Sequence, residues 1–128
     1  MNIGQAADQS GIPAKTIRYY ESIGLIRPAG RTDGNYRDFD DSAVRMLQFL
    51  KRARDFGFSI DDCRELLSLY QDRRRSSADV RTIAERRVAE IDRKVRELLA
   101  LRGALGQLVE RCHGDDRPDC PILDDLTR

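Results

Sequence analysis

Cys112 and Cys120 close a loop, Cys112-His113-Gly114-Asp115-Asp116-Arg117-Pro118-Asp119-Cys120, that holds two of the chain's three cysteines. Thiolates in such a loop suit a soft ion. A monovalent d¹⁰ ion such as Cu(I) is satisfied by two thiolates in a line. Zinc takes four ligands in a closed site; here His113 or one of Asp115, Asp116 and Asp119 would have to complete it. A third chemistry is redox, with Cys112 and Cys120 joining as a disulfide. Cys63 differs from both. It falls in an apolar helical stripe with no cysteine or histidine near it, and reads as a buried structural thiol.

The chain has 128 residues and a formal net charge of +1, so overall charge does not announce a partner. Its distribution says more. Residues 1–54 carry nine Lys and Arg against six Asp and Glu, whereas residues 112–128 carry two against five. A basic N-terminal part with an acidic tail fits contact with nucleic acid at one end. No apolar run approaches the roughly 20 residues that span a bilayer, and the N-terminus lacks the apolar core of a signal peptide. A cytoplasmic chain keeps its thiols reduced, which favours metal or redox chemistry over a structural disulfide. Nothing in the chain supplies a Ser/His/Asp arrangement or a phosphate-binding glycine loop, so an enzyme is not expected.

The elements that position the loop begin far from it. Ile3, Ala6 and Ala7 recur at helical spacing until Ser10-Gly11. Pro13 then opens a second helix through Ala14, Ile17 and Tyr20 to Gly24. Two short helices joined at a glycine describe a helix-turn-helix. Lys15, Thr16, Arg18, Tyr19 and Tyr20 cluster near the start of the second helix, where cations and hydroxyls reach phosphates or base edges in a major groove. Tyr19 and Tyr20 are adjacent and point in different directions, so one can be core while the other faces DNA, and spacing alone does not say which. Leu25-Ile26-Arg27-Pro28 and Asn35-Tyr36-Arg37 are expected as strands of a hairpin. Arg31 and Arg37 straddle its Gly-rich turn, with Tyr36 beside them and Asn35 next to it, as a backbone-gripping wing.

Asp40-Asp41-Ser42 offers caps for a helix through Val44, Leu47 and Leu50. Arg54 near its end either reaches a phosphate or complements the helix terminus. After Phe56-Gly57-Phe58, Ser59 and Asp62 resemble a capping box for the next helix, which ends in the basic run Arg73-Arg74-Arg75. From Ser76-Ser77 the pattern then runs without proline to about Arg111. Ala84, Val88, Ile91, Val95, Leu98, Leu105 and Val109 fall on an alternating four-three spacing, interrupted by Arg102. Roughly 33 residues make a rod of about 50 Å, too long to bury its stripe on its own small domain, so it reads as a coiled coil with a second copy. Gly103 and Gly106 are expected to weaken its end. Pro121–Leu126 is an amphipathic helical turn.

Thr16-Ile17-Arg18-Tyr19-Tyr20-Glu21, Gly24-Leu25-Ile26 and Asn35-Tyr36-Arg37 resemble the N-terminal signature of the MerR family of transcription regulators. The loop, with Gly114, Asp115, Asp116, Asp119, Pro121 and Ile122 between and after its cysteines, resembles that of the copper-responsive branch. The chain departs from that branch at His113, a position where members of the branch carry proline. The resemblance covers nearly the whole chain. It implies a mainly α fold: a winged helix-turn-helix DNA-binding domain with connector helices over 1–75, a long antiparallel coiled-coil dimerisation helix over 76–111, and a metal-binding loop with a short terminal helix over 112–128. It implies a homodimer on a palindromic promoter that untwists an overlong spacer for RNA polymerase, in the manner of indirect readout, and so activates copper-detoxification genes. The same resemblance makes Cys112 and Cys120 the ligands of Cu(I), with Ag(I) and Au(I) as mimics, and tips Arg54 towards phosphate. It also aligns Ser77 with a position where zinc-responsive relatives carry a metal-binding cysteine; a serine withholds a third thiolate. A Cu(I) dithiolate carries a charge of −1 and needs compensating groups if buried. Arg81, one turn on from Ser77, is the candidate cation.

Overall fold

A computed structural model describes residues 1–27 and 30–128. Among them are six helices and one two-stranded antiparallel sheet, in the order α1 (Ile3–Ser10), α2 (Ala14–Ser22), β1 (Gly30–Arg31), β2 (Arg37–Asp38), α3 (Asp41–Asp55), α4 (Ile60–Gln71), α5 (Ser77–Arg111) and α6 (Pro121–Leu126). By packing, the chain forms two units, Met1–Ala84 and Glu85–Arg128. The first turns of α5 therefore belong with the helices before them.

In the first unit, each helix start has a local cause. Asn2 caps α1 through a reciprocal box with Gln5: the Gln5 N–H donates to Asn2 Oδ1 at 2.8 Å and the Asn2 N–H to Gln5 Oε1 at 2.9 Å. Gly11, at φ 77°, ends α1 in the left-handed region that glycine enters without strain. Asp40 caps α3 by accepting from the Ala43 N–H at 2.7 Å, and Ser59 caps α4 by accepting from that of Asp62 at 3.0 Å. These helices converge on Ile17, Tyr20, Leu25, Phe39, Leu47, Leu50 and Cys63, all buried. The Cys63 Sγ reaches the Phe58 carbonyl at 3.8 Å, and burial pushes its thiol pKa up. The structural reading of Cys63 therefore agrees with its place in the core.

Among the described residues the hairpin strands are shorter than the sequence suggests. Leu25, Ile26 and Arg27 form no strand, and Pro28 lies outside the described residues. Leu25 is buried, and its N–H donates to the Tyr20 carbonyl at 3.0 Å, so this segment completes the end of α2. The ladder pairs Gly30 with Asp38 and Arg31 with Arg37. Asp38 and Phe39 in turn hold the start of the chain: the Met1 ammonium donates to Asp38 Oδ1 at 2.9 Å and to the Phe39 carbonyl at 2.7 Å.

In the second unit α5 runs on unbroken to Arg111, followed by the cysteine loop and α6. Gly103 and Gly106 do not interrupt α5. The other thirty-three of its 35 residues sustain the ladder, since a mid-helix glycine costs only about 1 kcal/mol against alanine.

Candidate DNA interface and metal loop

Helix α2 sorts its residues by face. Ile17 and Tyr20, three apart, point into the core. Lys15, Arg18, Tyr19 and Ser22, at the complementary spacing, are exposed. The tyrosine ambiguity is thereby resolved: Tyr19 is 52% exposed and Tyr20 6%. Tyr20 is a core residue, and its place among the expected DNA contacts is corrected. Its ring is held beside that of Tyr19, with centroids 6.1 Å apart. Thr16 is half-buried at the edge of the face.

An ion pair anchors the hairpin to this helix. Arg37 Nε donates to Glu21 Oε1 at 3.0 Å, with the Glu21 side chain 9% exposed. Arg37 thus has a positioning role that its sequence context did not reveal, with that nitrogen committed inside the molecule. Arg31 stands across the ladder from it and is exposed, and Tyr36 is exposed at the turn. Asn35 sits at φ 64°, a left-handed conformation that asparagine tolerates better than most residues. The turn explains that asparagine, and its side chain remains exposed. Arg54 is exposed as well, but its Nη1 donates to the Phe58 carbonyl at 2.6 Å. That nitrogen helps to close the α3–α4 turn, while the side chain stays at the surface.

At the start of α5 the cap is Ser76, whose hydroxyl accepts from the Ala78 N–H at 3.1 Å; Ser77 is the first residue of the helix. Ser77 and Arg81 line an open hollow together with Arg73, Arg75 and Val80. Arg75 is held there by its Nη1, which donates to the carbonyls of Tyr70 and Asp72 at 3.3 and 3.2 Å. The run Arg73-Arg74-Arg75, read as a solvated helix end, therefore places two further cations around Ser77. The run of three arginines was the signal; the turn that folds it back onto α5 was not readable from it.

The cysteines occupy the two junctions of the loop. Cys112 directly follows α5, and its N–H still donates to the Leu108 carbonyl at 3.1 Å. Cys120 is the cap residue of α6, and its carbonyl accepts from the Asp124 N–H at 3.0 Å. Both are free thiols and half-buried. Gly114 turns the chain at φ 63°. Asp115 is occupied by Arg117, whose backbone N–H and Nε donate to it at 3.0 and 2.9 Å. His113 is exposed. Among the described residues no three or more His, Cys, Asp or Glu side chains are grouped so as to hold a metal ion.

The description "MerR HTH family regulatory protein" matches residues 1–69, and "MerR, DNA binding" matches residues 44–108. The chain belongs to the MerR family. It is a DNA-binding transcription regulator and not an enzyme. It is 58% identical over 127 residues to the HTH-type transcriptional regulator HmrR of Rhizobium leguminosarum bv. viciae, covering 99% of this chain and 98% of the relative. It is 42% identical over 127 residues to CueR of Salmonella typhimurium, covering 99% and 92%. The MerR fold extends over its length: the lead(II) complex of the transcription regulator PbrR691 from Ralstonia metallidurans CH34 superposes with a TM-score of 0.83 at 30% identity, covering 98% of both chains. No described helix is long and apolar enough to cross a membrane.

Proposed function

We propose that this MerR regulator is a cytoplasmic Cu(I)-responsive transcription activator, with Ag(I) and Au(I) as mimics. It binds a palindromic promoter as a homodimer. When an ion occupies Cys112 and Cys120, it distorts the spacer so that RNA polymerase transcribes copper-detoxification genes. The observation that carries this reading is the donor set: two free, half-buried thiols at the ends of one loop, with Asp115 already engaged by Arg117 and His113 exposed. Two thiolates suit a soft +1 ion and fall short of the four ligands that zinc takes. In the homodimer, Ser77 and Arg81 are the hydrogen-bonding and cationic groups that balance the −1 charge of such a unit. Lys15, Arg18, Tyr19, Arg31 and Tyr36 are the exposed groups offered to DNA. Ser77→Cys adds the thiolate that this chain withholds, so the variant is expected to respond to divalent ions.

A divalent-ion regulator of the same fold, responsive to Zn(II), is the second reading, favoured by the lead(II) bound to the structural neighbour at 30% identity. Anaerobic run-off transcription from a promoter fragment that the protein selects out of a genomic library separates the readings. Cu(I) raises the transcript in the first and Zn(II) in the second. Activation by an oxidant without metal identifies a thiol-redox regulator instead. The Cys112→Ser/Cys120→Ser variant should bind the fragment and stay silent.

A further inference from the structure

Glu21 is an acid on the helix that presents Lys15, Arg18 and Tyr19 outward. DNA is a polyanion, so a carboxylate here opposes binding unless it has another use. Arg18 precedes Glu21 by three residues and is its neighbour along α2. From the hairpin, Arg37 Nε donates to Glu21 Oε1 at 3.0 Å. The pair is largely withdrawn from water, with the Arg37 and Glu21 side chains 29% and 9% exposed. We propose that Glu21 is a positioning residue for DNA binding: its carboxylate sets the angle of the hairpin to α2, so that an acid strengthens the grip on DNA. This rests on the reading that Arg31 and Tyr36 of the hairpin meet DNA.

Two properties of the hairpin create the need. The first is its lack of stiffness. Its base is fixed, because Phe39 is buried and its N–H and carbonyl both bond to Met1, at 2.7 Å each. Beyond that base the ladder among the described residues has two pairs, Gly30 with Asp38 and Arg31 with Arg37. A two-stranded hairpin by itself is marginal in water. A tie from the ladder to a packed helix holds what the ladder cannot.

The second need is electrostatic. Residues directly opposite each other in a ladder share a face, so Arg31 and Arg37 bring two like charges together, which opposes pairing. The Glu21 carboxylate neutralises one of them. Arg37 is drawn down onto α2 and half-buried, and Arg31 stays exposed across from it. Glu21 thus decides which of the two arginines turns outward. It also fixes the distance between that arginine and the exposed cations of α2, which is what two elements gripping one backbone require.

Fluorescence anisotropy of the full reduced chain on a genomic fragment that it selects, and on unrelated DNA of equal length, tests this. If Glu21 were only an acid near DNA, Glu21→Gln would tighten both complexes, since one more unpaired guanidinium would face the phosphates. The proposal predicts the opposite on the selected fragment: a loss of about tenfold, comparable with one mismatched base pair. Unrelated DNA should bind no more weakly than to the parent. Hydrogen exchange separates positioning from folding: in Glu21→Gln the amides of residues 30–38 should exchange faster, and those of α3 at the parent rate. The Glu21→Gln/Arg37→Gln double variant should bind like Arg37→Gln alone, because the two residues act as one unit. Equal or tighter binding of Glu21→Gln to the selected fragment overturns the proposal, as do additive losses in the double variant or faster exchange throughout the first unit. Arg31→Ala and Tyr36→Ala variants that bind like the parent overturn the reading that the hairpin meets DNA, and the proposal with it.

Discussion

The two units place their apolar residues in opposite ways. In Met1–Ala84 the large side chains of Ile17, Phe39, Leu47 and Leu50 lie at or below 1% exposure. From Glu85 onward no residue is buried, and Val88, Leu98, Leu101 and Val109 are more than half exposed. A core closed on itself belongs to a domain that folds alone. A continuous apolar stripe left open belongs to a surface completed by another molecule. The contrast fits a first unit with a core of its own and, under the homodimer proposed above, a second unit whose apolar stripe a second copy covers.

The largest effect that would sharpen this contrast lies in the loop. Cys112→Ser or Cys120→Ser should lower Cu(I) affinity by more than the roughly 10–100-fold that loss of an outer hydrogen-bond partner costs. The thermal transition of the first unit should not move, as calorimetry would record. Next comes a matched pair. Leu47→Ala should destabilise the first unit by about 2–5 kcal/mol at any protein concentration. Leu98→Ala should lower the apparent Tm mainly where the protein is dimeric, so its effect should fade on dilution. Equal effects at all dilutions would break the distinction between the units.

Smaller effects follow. Asp40→Ala removes the α3 cap and should cost about 1 kcal/mol in denaturant unfolding. Gly103→Ala should raise α5 stability by up to about 1 kcal/mol, because a Cβ there meets nothing within 4 Å. The smallest is a pH effect. Burial raises the Cys63 pKa, so the folded state holds this proton more tightly than the unfolded chain. That stability is fully present below the unfolded thiol pKa and is lost as pH rises through the folded one. Cys63→Val should flatten the alkaline limb of a stability–pH curve.

Much of this was legible in the sequence because its signals are local. Gly11 and Pro13 separate α1 from α2, Asp40 and Ser59 mark helix starts, and the unbroken four-three spacing announces α5. The misreadings share another cause: they turned on tertiary contacts. Leu25-Ile26 reads as the start of a strand, but Leu25 is needed in the core, and its N–H donates to the Tyr20 carbonyl just past the end of α2. Adjacent tyrosines have the same polarity pattern, and only the packed core decides that Tyr20 turns inward. Arg37 and Arg54 look like free cations until Glu21 and the Phe58 carbonyl are placed beside them. At the cysteine loop the candidate donor types and spacing were visible, whereas the arginines gathered around Ser77 needed the α4–α5 turn.

The most direct test of the central claim is an anaerobic competition titration of the reduced protein with Cu(I) and Zn(II), read by X-ray absorption at the bound metal. The account predicts one Cu(I) per chain with only sulfur neighbours. Preferential Zn(II) binding with nitrogen or oxygen neighbours would contradict it and bring His113 or the loop aspartates into the site.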